Sequence, residues 1–231
     1  MRVLLLGHGR MGQLVESLAS SYDATIAAVI DESSGDRAIA DGQFGDVDVA
    51  IDFTLADAVV KNLPQLAARK INVVIGTTGW QASEPSVRDV ASRAGIGVVA
   101  APNFAIGVNI FLAAAARLAA QMAGQPSFGA WIHELHHAAK RDAPSGTALA
   151  LEKQMRGAGY TADVSIASTR AGAIPGTHTV GFDAASETIT LTHQARDRAA
   201  FARGSLLAAR WVIGRSGWFT MSDVLNLRSD L

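Results

Sequence analysis

The chain has 231 residues, 49% of them hydrophobic and 18% charged, enough apolar material for one large core or two modest ones. Its formal net charge of −1 gives no global positive field to hold nucleic acid or an anionic membrane, so an anionic ligand needs a local cluster of donors. No cysteine is present, which excludes disulfides, thiolate metal sites and a cysteine nucleophile. The first apolar run stops at Gly7, too short for a signal segment, and no run approaches the roughly 18 residues of a membrane span. A cytoplasmic enzyme or binding protein is expected.

Val3–Leu6 is a short continuous apolar run, the pattern of a strand buried on both faces of a parallel sheet. Met11–Ser21 has helical spacing, with Leu14, Val15 and Leu18 on one face. Strands are predicted at Thr25–Ile30, Val47–Phe53, Asn72–Ile75 and Ile96–Ala101, with helices over about Ala56–Arg69 and Val87–Arg93. Such alternation implies a parallel sheet with right-handed crossovers. After Asn103 the pattern changes to a long helix, Ile106–Ala123, a strand at Phe128–Leu135 and a helix at about Thr147–Arg156. Strands at Val164–Thr169, His178–Phe182 and Glu187–His193 then follow with little helix between them, and Arg198–Ile213 returns to helix. The fold class is therefore α/β: a Rossmann-like parallel-sheet domain over 1–104, and an α+β substrate domain with a mixed sheet over 105–206. The end, about 207–231, is expected to return to the first domain.

The first chemical motif is Gly7-His8-Gly9-Arg10-Met11-Gly12, a G-x-G-x-x-G turn between a predicted strand and a predicted helix. Its glycines let the backbone turn tightly and approach a pyrophosphate at the helix N-terminus. Asp31 lies about twenty residues on, at the end of the second strand, where a ribose-binding carboxylate belongs. It leans the cofactor toward NADH by repelling a 2′-phosphate, although Arg10 and Arg37 offer offsetting charge, so NADH and NADPH both stay open. Gly76-Thr77-Thr78-Gly79 and Ala101-Pro102-Asn103-Phe104 also follow predicted strands, the end of a parallel sheet where ligands bind. They are expected to line the nicotinamide half of the cleft. The competing readings are a glycine turn that merely packs closely, a solvated Asp31 and ordinary turns.

The second motif runs from Glu134 through His136, His137, Lys140, Asp142, Pro144, Ser145 and Gly146 to Thr147. Pro144 holds Ala143 extended and Ser145 is a good N-cap, so the N–H groups of Gly146 and Thr147 would point unpaired at a bound anion. Lys140 adds a full positive charge, and His136 and His137 supply protons or hydrogen bonds near neutral pH. A capped helix beside a solvated Lys-Arg pair, or a pair of core histidines, explains parts of this segment without function. No HExxH spacing and no cysteine accompany the histidines, so no metal is expected. Glu134 serves only as a landmark.

The string His136-His137-x-x-Lys140-x-Asp142-Ala143-Pro144-Ser145-Gly146-Thr147-Ala148 resembles the signature of the dihydrodipicolinate reductase family, the 4-hydroxy-tetrahydrodipicolinate reductases of bacterial and plant lysine biosynthesis. The likeness spans nearly the whole chain, through Gly9–Gly12, Ile51–Thr54, Gly76–Gly79, Asn103-Phe104, Arg170, Gly172, Pro175, Gly176, His178, His193, Arg198, Phe201 and Gly204. The resemblance implies His136 as general acid and Lys140 as a second catalytic cation. It implies that His137 and the segment Ser145, Gly146 and Thr147 bind substrate carboxylate. Gly7 to Met11, Asp31, Gly76 to Thr78 and Ala101 to Phe104 would bind the dinucleotide, with Gly12 closing the turn. A homotetramer assembled through the second sheet is implied too, acting on a small cyclic dicarboxylate in diaminopimelate biosynthesis. The glycine turn is one residue shorter than the family's common form, the Asp31–Asp52 interval is short, and Ala105 stands where Ser is common. The enzyme alternative is another small-molecule dehydrogenase of this build, such as an amino-acid or sugar dehydrogenase, which would need a different acid motif in place of the His-His-x-x-Lys loop. A dinucleotide-sensing regulator would need a DNA-binding module that this sequence does not show.

Overall fold

The computed structural model describes residues 1–35 and 37–227; of the predicted C-terminal return, 228–231 lie outside the described residues. The chain divides into two compact units, Met1–Ile106 with the segment from Arg198 onward, and Gly107–Asp197. The first junction falls at Ile106 rather than 104. The return comes at Arg198 rather than near 206, because the whole of the following helix packs in the first unit.

In the first unit β1 (Arg2–Leu6), α1 (Arg10–Leu18), β2 (Thr25–Ile30), α2 (Ala38–Asp41), β3 (Val49–Asp52), α3 (Ala56–Ala68), β4 (Asn72–Ile75), α4 (Glu84–Ala94) and β5 (Gly97–Ala100) follow in order. The second unit is built from α5 (Ile106–Met122), β6 (Gly129–His136), α6 (Gly146–Gly157), β7 (Val164–Arg170), β8 (Thr177–Asp183) and β9 (Thr188–Gln194). The chain then adds α7 (Ala199–Val212), β10 (Gly217–Phe219) and α8 (Met221–Val224) to the first unit.

The first sheet has the order β10-β5-β4-β3-β1-β2, and every pair in it is parallel. The period of two along β1 decides how its faces are covered. Val3 and Leu5 join one core with Val15 of α1 and Ala202, Leu206 and Val212 of α7. Leu4 and Leu6 join another with Leu63 and Leu66 of α3 and Val87 and Ala91 of α4. Two buried faces explain why β1 reads as unbroken apolar sequence. The three-residue strand β10 escaped the sequence pattern because it is too short to show a period.

The second sheet has the order β7-β6-β8-β9; β6 runs parallel to β7 and antiparallel to β8, and β8 is antiparallel to β9. It is the mixed sheet expected. Along β6 the residues Ala130, Ile132, Glu134 and His136 are buried in alternation. Ala130 and Ile132 pack with Phe111, Ala115 and Ala119 of α5 and Leu151 and Met155 of α6. Glu134 and His136 continue the same face toward the strand's end, so one polar pair finishes an apolar row. Among the described residues no helix is long and apolar enough to cross a membrane.

Candidate active site

In the first unit Gly9 caps α1 and has open space where a Cβ would stand. Its two partner glycines differ. A Cβ on Gly7 (φ +84°) would meet the Phe53 carbonyl oxygen at 2.7 Å, and one on Gly12 would meet the Gly7 carbonyl oxygen at 2.1 Å. Gly7 and Gly12 therefore serve packing, while the missing side chain of Gly9 leaves room that protein does not fill. Gly9, Arg10 and Met11 line a cavity of about 460 Å³ with Phe53–Ala56 and Gly76, Thr77 and Thr78. This combination of an open glycine and helix N-terminal amides fits a pyrophosphate.

Buried Asp52 at the end of β3 ties the two loops of this cavity together. It accepts from the Thr54 N–H (2.9 Å) and Asn62 Nδ2 (3.1 Å), and Thr77 Oγ1 lies 3.2 Å from its Oδ1. The Thr77 hydroxyl is thus turned to protein, whereas Thr78 is exposed. Ala101 and Phe104 are core residues, with Phe104 edge-on to Phe53 at 6.3 Å, and the segment Ala101–Phe104 does not line the cavity. Asn103 Oδ1 accepts the Ala105 N–H within its turn. The loop Phe53–Ala56, which sequence reasoning did not assign, was accessible from its place just past a parallel strand.

Asp31 is exposed and caps a short 3-10 turn, its Oδ1 accepting from the Ser33 N–H (3.0 Å) and Ser33 Oγ (2.6 Å). Those Ser33 hydrogen bonds hold its carboxyl below the ordinary range. Arg37 is paired with Asp41 at 2.9 Å, and His8 with Glu16 at 2.7 Å.

In the second unit Glu134 and His136 stand two residues apart on the buried face of β6. Glu134 sits opposite Ser168 of β7 and His178 of β8, and His136 opposite Arg170 of β7. Glu134 is wholly buried. Its Oε1 accepts from Arg170 Nη2 (2.6 Å) and the Ser145 N–H (3.3 Å); its Oε2 accepts from Arg170 Nη1 (3.0 Å) and pairs with His136 Nδ1. Burial opposes its ionisation, yet hydrogen bonds from Arg170, Ser168 and His136 outweigh that and hold the carboxyl at about 2. His136 is pushed below the ordinary imidazole value, by burial first; Glu134 pulls it up and the charges of Lys140 and Arg170 push it down. His178, edge-on to His136 at 5.1 Å between ring centres, is held at about 4 by burial.

Ser145 is the N-cap of α6, its Oγ accepting the Ala148 N–H at 3.3 Å and pairing with His178 Nε2 at 3.0 Å. With its N–H given to Glu134, Ser145 is committed to the protein. Gly146 is exposed and Thr147 half-buried. Lys140 Nζ grips both oxygens of Asp142, at 2.7 and 2.9 Å. That ammonium first, with a smaller contribution from the Gly146 N–H, holds the Asp142 carboxyl below the ordinary range. Asp142 therefore shows that Lys140 and the start of α6 can share one carboxylate. His137 is half-buried beside this group in sequence.

The sequence alone names three members of this cluster, Glu134, Arg170 and His178, without giving any of them a role. Only the strand register brings them together, although the position of Glu134 two residues before His136 on a strand was a usable signal. Among the described residues Glu134, His136 and His178 also offer ligand-type atoms within 4.8 Å of one another. Arg170 puts a fixed positive charge on the same carboxylate, which works against a second cation there.

A parallel sheet with an open glycine turn, together with a separate mixed-sheet unit, is the build of an NAD(P)-dependent oxidoreductase with a Rossmann domain. Comparison with known proteins narrows this. The family model for the N-terminus of dihydrodipicolinate reductase matches residues 1–104, and that for its C-terminus matches residues 107–225. The 4-hydroxy-tetrahydrodipicolinate reductase of Christiangramia forsetii is 35% identical over 237 residues, covering 98% of each chain. That of Acidiphilium cryptum is 40% identical over 240 residues, covering 95% of this chain and 94% of its own. A solved dipicolinate-bound dihydrodipicolinate reductase from Paenisporosarcina sp. TG-14 shares the fold with a TM-score of 0.81 at 22% identity, covering 95% of this chain and 97% of its own. The chain belongs to the dihydrodipicolinate reductase family and is an NAD(P)-dependent oxidoreductase.

Proposed function

We propose that Glu134–Thr147 supplies both the proton and the substrate grip for this family's reaction, the reduction of 4-hydroxy-tetrahydrodipicolinate to tetrahydrodipicolinate in diaminopimelate and lysine biosynthesis. The observation that carries this reading is the shared tether: one buried carboxylate, Glu134, bonds both the His136 imidazole and Ser145, the N-cap of α6. The substrate becomes a conjugated imine when its 4-hydroxyl leaves as water, and the dinucleotide, when bound, would supply the hydride that reduces it. His136 is the general acid that delivers the matching proton as negative charge builds toward the ring nitrogen, an effect typically worth a factor of about 10² to 10⁴. Lys140 is the catalytic cation beside it. The amides of Gly146 and Thr147, with His137, take a substrate carboxylate, and Ser145 holds the helix start that presents them. The dipicolinate in the Paenisporosarcina structure is a cyclic dicarboxylate of the same class.

His8, Gly9, Arg10, Met11, Gly76, Thr77 and Thr78 hold the dinucleotide on a turn that Gly7 and Gly12 pack into shape, with Asp31 on the adenosine ribose and Ala101–Phe104 contributing backbone at the end of β5. NADH is the preferred form: Asp31 is an exposed carboxylate, and Arg37 spends its charge on Asp41. A cytoplasmic homotetramer assembled through the mixed sheet completes the reading. Its support is the exposed Thr188, Ile189 and Thr190 of β9; sedimentation of the purified protein reads the assembly.

The test is oxidation of NADH and NADPH with enzymatically generated 4-hydroxy-tetrahydrodipicolinate. Turnover is expected, with the larger kcat/KM for NADH and a shift toward NADPH in Asp31→Ala. Absence of turnover with either cofactor, in folded protein, rejects the assignment.

A further inference from the structure

We infer that Glu134 is the positioning residue of this site, holding the His136 imidazole and the start of α6 in one fixed relation while Arg170 clamps it from behind. The inference rests on His136 being the proton donor, and it adds how that donor is aimed. Beside the Ser168 hydroxyl, donors from three other residues meet the two oxygens of Glu134. Oε1 serves Arg170 and the Ser145 N–H; Oε2 serves Arg170 and His136 Nδ1. Only a carboxylate accepts on both oxygens, so glutamine in its place must present an NH₂ to one of these donors. Arg170 in turn reaches the Asp142 carbonyl at 2.6 Å and the Thr169 carbonyl at 2.9 Å, which joins the loop carrying Lys140 to the same clamp.

The consequence for His136 follows from its two ring nitrogens. A carboxylate on Nδ1 fixes the Nδ1–H tautomer and favours the imidazolium, leaving Nε2 as the nitrogen that exchanges its proton. The surroundings keep Nε2 clear: Gly176 has φ +129°, and a Cβ there would lie 3.1 Å from that atom. The charged and titratable groups around the ring are Glu134 on its own strand, Arg170 on β7, His178 on β8 and Lys140 in the loop that follows. Of these only Glu134 favours the protonated ring, so its removal has one direction of effect.

The experiment is an NMR titration of the full-length protein labelled with ¹³C and ¹⁵N histidine, with His136→Gln used to assign the His136 signals. In Glu134→Gln the His136 midpoint is expected to fall by about one pH unit, as loss of a contacting charge implies. The neutral ring should change from the Nδ1–H tautomer to a mixture. In the same variant kcat is expected to drop by about 10- to 100-fold with the KM for dinucleotide within about twofold. An unchanged midpoint and tautomer in folded Glu134→Gln overturns the inference. Should that variant not fold, Arg170→Lys keeps the charge but cannot grip both oxygens. Tautomer mixing there supports the inference, and a wild-type signature rejects it. Failure of the proton-donor reading is separate and shows as wild-type kcat in His136→Gln.

Discussion

At His136, burial and two cations oppose one carboxylate, and the balance leaves the free ring easier to deprotonate than an ordinary imidazole. A bound dicarboxylate adds negative charge, which favours the imidazolium and moves the balance the other way. The general acid must be protonated, so activity falls as pH rises through its midpoint. The limb of kcat/KM, which reports the free enzyme, is therefore expected below the ordinary imidazole range, and the limb of kcat at higher pH. The reverse order in measured pH profiles contradicts this account. Asp142 gives a second residue-level prediction. Its carboxylate occupies Lys140 and competes with an incoming carboxylate for the same donors. Asp142→Asn should tighten dipicolinate binding by about two- to fivefold in calorimetry, the scale of a partly exposed ion pair. Weaker or unchanged binding removes Asp142 from the site.

The glycines separate packing from binding at the scale of the elements. In α7 a Cβ on Gly204 would lie 1.7 Å from the Phe104 carbonyl oxygen, so helix and loop touch backbone to backbone. Gly204→Ala should cost about 3 kcal/mol, seen as a lowered unfolding midpoint in denaturant. Gly9→Ala meets nothing within 4 Å, and its φ of −72° suits alanine. It should leave stability within about 1 kcal/mol and raise the KM for dinucleotide several-fold. A Gly9→Ala variant that unfolds, or binds dinucleotide normally, rejects the division. The same elements show what was legible beforehand. β2 and β4 fall at the predicted residues, and Ser145 caps α6 as expected, because periodicity and capping are local. Phe104, expected to line the dinucleotide site, is instead a core side chain, since sequence position past a strand does not say which way a residue faces. Glu134 had no visible role because its clamp, Arg170, is 36 residues away and arrives through strand register.

For the whole molecule, the same buried groups set how the second unit responds to acid. His178 holds its proton only below about 4, against an ordinary 6.5, so the unfolded chain binds more protons across that window and stability is lost as pH falls through it. Glu134, at about 2 against an ordinary 4.5, continues the loss with the same sign from about 4.5 downward. Denaturant unfolding is expected to show stability about 2 kcal/mol lower at pH 5 than at pH 7. Equal stability at the two values would show that His178 is not held neutral by the fold. These groups adjoin the proposed proton donor, so the pH range that suits the acid is bounded below by loss of the unit that carries it.

The most direct test of the proposed proton donor is kcat for 4-hydroxy-tetrahydrodipicolinate in His136→Gln, measured beside the Kd for dipicolinate in the same protein. With His136 as the donor, kcat is expected to fall by about 10² to 10⁴ with Kd within a few-fold of wild type. A kcat near wild type, or a loss confined to binding, would contradict it.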